Sequence, residues 1–94
     1  MQVIYKYELY CGLNELDLPM GATILHCAMQ DGNLQIWALV DNAPDYPKAR
    51  RVIEVYGTGW PIPRTPRRHI ATVMHERLVW HAFEVTEDTS CRAT

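Results

Sequence analysis

This 94-residue chain predicts an all-β fold, mainly antiparallel, with about six short strands forming a small barrel or sandwich. Three observations carry that expectation. Apolar and polar residues alternate with a period of two along several segments, as side chains do on the two faces of a strand. Turn-forming residues separate those segments at short, even spacing. No stretch of ten residues or more carries a helical stripe of apolar positions. Residues 64–77, "RTPRRHIATVMHER", offer the alternative of one short helix and an α+β fold. Pro66 and the β-branched Ile70, Thr72 and Val73 oppose it.

Taken in order, "VIYKYELY" places Val3, Tyr5, Tyr7 and Leu9 on one face and Lys6 and Glu8 on the other. "GLNELDLPMG" interrupts the alternation, with Pro19 and Gly21 as punctuation. "ATILHCAMQ" reads as a mostly apolar strand, and the "DGN" that follows is a strong hairpin turn. In "LQIWALVD", Leu34, Ile36, Ala38 and Val40 alternate against Gln35, Trp37 and Leu39. Pro44 and Pro47 mark a loop, after which "RRVIEVYG" resumes β character with Val52, Ile53 and Val55. "HIATVM" is a short strand, "HER" a turn and "LVWHAFEV" the last strand. A single domain over residues 1–86 and a flexible polar tail over 87–94 are expected.

The composition narrows the class. A hydrophobic content of 48% suits a globular chain. No apolar run approaches the roughly 20 residues of a membrane-spanning helix, and "MQVIYKYEL" lacks the core of a signal peptide. A soluble, intracellular protein without membrane partners is therefore expected. Three cysteines, Cys11, Cys27 and Cys91, fit free thiols better than a disulfide framework.

Charge is unevenly distributed. Six of the nine basic residues and only one of the eleven acidic ones lie between Lys48 and His69, leaving three basic and ten acidic residues elsewhere. An acidic body with one electropositive region disfavours long duplex DNA but permits a local anion site.

That region contains "VYGTGWPIPRTPRR", the one candidate ligand-binding segment. Gly57, Thr58 and Gly59 resemble part of a phosphate cradle, although neither the Walker pattern nor GxGxxG is complete and a plain turn would use the same glycines. Arg64, Arg67 and Arg68 supply forked donors suited to phosphate or carboxylate, on a loop stiffened by Pro61, Pro63 and Pro66. Tyr56 and Trp60 add flat rings on which a base could stack. Arg50 and Arg51 would join them only if the fold or a second subunit brought them round.

No catalytic constellation is visible. The only serine is Ser90, and Cys27 and His26 are strand neighbours that point to opposite faces. His26, His69, His75 and His81 show no metal-ligand spacing. Neither a metal nor a cofactor is expected, and the chain reads as a binding protein rather than an enzyme.

"IYKYEL", "LPMGATILHCAMQDGNLQIWALVD", "RRVIEVYGTGWPIP" and "LVWHAFEV" together resemble a family of short, uncharacterised tailed-bacteriophage and prophage proteins. The resemblance runs in order over residues 3–85 and includes Gly57, Thr58 and Gly59, whereas the arginines of 64–68 lie outside the shared pattern. It implies a small phage-encoded accessory protein acting in the cytoplasm of the bacterial host. The expected role is non-catalytic counter-defence, by sequestering a phosphate-bearing nucleotide immune signal, with a homo-oligomer expected. The alternative partner is a host defence protein or CRISPR complex inhibited by direct binding, and a structural phage protein ranks below both.

Overall fold

The computed structural model describes residues 1–86, and the tail expected over 87–94, with Cys91, lies outside the described residues. Seven antiparallel strands follow one another: β1 (Gln2–Leu9), β2 (Gly12–Pro19), β3 (Thr23–Gln30), β4 (Asn33–Asp41), β5 (Lys48–Gly57), β6 (Arg67–His75) and β7 (Leu78–Val85). They form a three-stranded sheet ordered β1-β4-β3 and a four-stranded sheet ordered β2-β5-β7-β6. The sheets pack face to face as a sandwich. Leu9, Cys27, Leu34 and Ile36 from the first meet Ile53, Val55 and Ala82 from the second in one buried cluster. Leu18, Ala22, Ala38 and Val40 form a second cluster. Each sheet keeps its other face in water, which is why period-two alternation was legible. Among the described residues no helix is long and apolar enough to cross a membrane.

One expectation is corrected, at β2, whereas the strand expected at "HIATVM" forms as part of β6. Within the stretch 12–21 expected to interrupt the pattern, residues 12–19 form a strand paired in full with β5, from Gly12 opposite Val55 to Pro19 opposite Lys48. Its alternation is regular: Leu13, Glu15 and Asp17 point to solvent, while Asn14, Leu16 and Leu18 point inward. The inward Asn14 disguised the pattern. Its amide accepts from the Tyr10 backbone N–H at 2.8 Å and donates to the Tyr10 and Ile53 carbonyls at 2.8 and 3.1 Å. A buried amide so satisfied costs little, and it fixes the corner where the chain leaves one sheet for the other. The alternative helix over 64–77 does not form, because Arg67–His75 pairs with β7 as an edge strand.

The turns follow their residues. Asp31 and Gly32 both have positive φ, 53° and 81°, the geometry of the tight hairpin that "DGN" predicts. Glu76, with φ 58°, turns β6 into β7.

Burial sorts the thiols. Cys27 is buried in the core and Cys11 is exposed. Burial pushes the Cys27 thiol up to about 11, so it stays protonated at neutral pH and is a poor nucleophile. Brief iodoacetamide treatment of the folded protein, followed by peptide mass mapping, is expected to modify Cys11 and spare Cys27.

Candidate functional site

The order β5-β7-β6 decides where the opening loop's residues go. Gly57, at the end of β5, lies opposite Trp80, and Arg67, at the start of β6, lies opposite Val85. The connection must therefore travel the length of β7, five residues or about 16 Å at strand spacing, before β6 can begin. This separates the glycines from the arginines.

The glycines make a turn. The Trp60 N–H donates to the Gly57 carbonyl at 3.1 Å, closing a four-residue turn with Thr58 and Gly59 at its centre. Gly59 has φ 89°, which favours glycine at that position. Gly57 is needed for a different reason: a Cβ there would lie 2.8 Å from two atoms of the Trp60 ring. The Thr58 N–H donates to the Val79 carbonyl at 3.3 Å. With the amides of Thr58 and Trp60 spent on protein acceptors, the turn does not have the open nest of donors that a phosphate cradle requires.

What the turn does is hold Trp60. Its ring sits edge-on to Trp80, with centroids 5.5 Å apart and planes at 87°, a favoured aromatic arrangement. Trp60 remains 45% exposed. The two rings, Gly57 and Thr58 line a cleft of about 370 Å³ with Arg77, Leu78 and Val79. Arg77, in the β6–β7 turn, is exposed and enters no ion pair among the described residues. A Gly57→Ala variant is expected to push the Trp60 ring off Trp80 while leaving the strands intact. The readout is a changed tryptophan emission with unchanged far-ultraviolet circular dichroism.

The arginines of the loop have other occupations. Arg64 is exposed on the proline-rich connection. Arg67 reaches across β7 on the solvent face, placing Nε 3.1 Å from Glu54 Oε1 and donating from Nη1 to the Pro63 carbonyl at 2.5 Å. Its Nη2 lies 3.0 Å from the same Glu54 oxygen but off the hydrogen-bond direction, so the contact is ionic only. Arg68 lies exposed at the edge of the sheet on the side of Glu84, and its Nη2 donates to Glu84 Oε1 at 2.7 Å. Arg51 joins it there, donating from Nε to Glu84 Oε2 at 2.6 Å and from Nη2 to Oε1 at 2.9 Å. The third branch of Arg51 donates to the Ala22 carbonyl at 2.5 Å, tying the four-stranded sheet to the start of β3. Burial opposes the charge of Glu84, but the bonds and fields of Arg51 and Arg68 outweigh it and hold the carboxyl below its usual range.

Tyr56 faces solvent with Phe83, edge-on at 6.4 Å. Burial and the neighbouring Glu54 carboxylate raise its phenol, against a smaller opposing effect of Arg67. Beside it a chain of side chains runs over the same face. Thr58 Oγ1 is 2.8 Å from His81 Nε2, and Thr72 Oγ1 is 3.1 Å from His81 Nδ1 and 2.9 Å from His69 Nε2. With one proton to give, Thr72 must accept from at least one of the two rings. Among the described residues no three His, Cys, Asp or Glu side chains gather as metal ligands.

Of the eight residues singled out by sequence, Gly57, Thr58 and Trp60 thus share one cleft, with Gly59 shaping its turn. Tyr56 and the largely covered Arg67 lie on the outer face of the four-stranded sheet, the exposed Arg68 at the open edge of the sandwich and Arg64 on the loop. Arg77 and Trp80 carry no signal of a site in the sequence, because only the pairing of β5 with β7 brings them to the cleft of Trp60.

A family model described as "Domain of unknown function (DUF7352)" matches residues 1–92. The chain belongs to that family. No curated protein and no solved structure matches it. In this DUF7352 member the Trp60–Trp80 cleft combines aromatic walls, a hydroxyl and a guanidinium that enters no ion pair among the described residues.

Proposed function

We propose that the protein is a non-catalytic binder of a small planar ligand carrying an anionic group, held in the cleft lined by Trp60 and Trp80. The observation that carries this reading is the pair of edge-to-face indoles in a cleft that Arg77 also lines. A heteroaromatic ring gains from stacking on an indole face, and a phosphate or carboxylate from the forked guanidinium. The cleft volume of about 370 Å³ falls in the range of small-molecule sites. A phosphate-bearing nucleotide satisfies both requirements. In the setting that the resemblance to phage proteins implies, it would be a defence signal removed by stoichiometric binding.

Isothermal titration with mononucleotides, cyclic dinucleotides and ADP-ribose tests the reading. Saturable heat from at least one of them is expected. Arg77→Glu, on an exposed turn, is expected to weaken that binding about tenfold or more by reversing the charge beside the anion. Heat from none of the panel would sink the nucleotide reading.

A further inference from the structure

At the other end of the four-stranded sheet, β3 and β6 lie near each other as edge strands of different sheets. Both lose register there. The pairing of β3 with β4 shifts between Ile24 and His26, and that of β6 with β7 between His69 and Ala71. A bulge takes its extra residue out of the ladder and bends the strand, a device found at sheet edges and beside binding sites. Ile24 and Ile70, at these two irregularities, help line a cleft of about 330 Å³ with Thr23, Arg51, Arg68 and His69.

The cleft has a surplus of positive charge, because two guanidiniums share the single carboxylate of Glu84. All three branches of Arg51 are committed, two to Glu84 and one to Ala22. Arg68 is different. It gives only Nη2 to Glu84, and its side chain is 62% exposed. Its Nε and Nη1 have no acceptor among the described residues. Both Glu84 oxygens are capped by N–H donors, so the carboxylate anchors Arg68 in place and leaves its remaining fork without an acceptor among the described residues. Pre-anchoring a long cation removes part of the entropy cost of using it.

We infer that this cleft is a second ligand site, independent of the Trp60–Trp80 cleft. It takes a small molecule with one oxyanion group, carboxylate or phosphate, and a short apolar body. The oxyanion meets the free edge of Arg68, and the body lies along Ile24 and Ile70.

The test is an amide chemical-shift titration of the whole chain with hexanoate, inorganic phosphate and 1-hexanol. Either oxyanion is expected to move the amides of Thr23, Ile24 and Ile70 saturably, and the stronger of the two identifies the preferred head group. Arg68→Ala, with its fold checked by the spectrum itself, is expected to weaken that binding about tenfold. Arg68→Lys, which keeps the charge but not the fork, should recover part of the loss. Trp60→Ala should leave it unchanged, which separates this site from the first. The inference is overturned if neither oxyanion moves these amides, if 1-hexanol moves them as strongly, or if Arg68→Ala binds like the parent.

Discussion

An Arg51→Met variant is expected to lose about 3 kcal/mol of unfolding free energy, the lower end of the usual cost of breaking a buried ion pair, because Arg68 keeps one bond to Glu84. Glu84 is the charge left under-compensated, since its side chain is only 10% accessible and Arg51 supplies two of its three guanidinium bonds. The same change removes the bond to the Ala22 carbonyl that joins the sheets. Denaturant unfolding followed by circular dichroism measures the loss. Acid behaviour gives an independent check. The Glu84 carboxyl is held below its ordinary value of 4.5 in the folded protein. Its ion cluster therefore contributes stability fully above that value, and the contribution disappears as pH falls through the depressed folded value. Arg51→Met should flatten this part of the acid limb. A double change, Arg51→Met with Glu84→Leu, should recover much of the stability, because replacing a whole buried pair by apolar groups is often close to neutral. If the single variant loses less than about 1 kcal/mol, an exposed-pair magnitude, the cluster is not the clamp described.

Core truncation gives an effect of similar size by a different route. Ile36 is fully buried on β4, opposite Tyr7 on one side and Cys27 on the other, and belongs to the cluster that includes Ile53 and Val55 of the second sheet. Ile36→Ala should cost about 2–5 kcal/mol, as transfer energy and an unfilled cavity add. A domain of this size has roughly 5–15 kcal/mol in total, so the variant should be marginal. Leu13→Ala, at 62% exposure on the solvent face of β2, is the contrast and should change stability by no more than about 0.5 kcal/mol. Equal losses at the two positions would contradict the assignment of faces.

Much of the fold was legible because each sheet has one wet face. Alternation in β4 located Leu34, Ile36, Ala38 and Val40 on the core side, where they are buried. The "DGN" turn was legible because its geometry is local. β2 was not, since an inward asparagine breaks a hydrophobic pattern unless the backbone groups it satisfies are known. The candidate site was legible only in part. Trp60 and the glycines lie on one turn and stay together in any fold. Whether Arg67 and Arg68 join them depends on strand order, and placing β7 between β5 and β6 carries the arginines away. That same order brings Arg51, Glu84 and Arg68 together from three strands. Arg77 gives no local signal inside its turn, yet the pairing of β5 with β7 brings it to the cleft that Trp60 lines.

The proposed ligand site is tested most directly by mapping backbone amide shifts during titration with the nucleotide that gives the greatest heat. Saturable shifts are expected at Gly57, Thr58 and Trp60 together with Arg77 to Trp80, and the indole N–H resonances of Trp60 and Trp80 should move with them. Shifts confined to Arg64–Arg68, or absent from Trp60 and Arg77 at saturation, would contradict it.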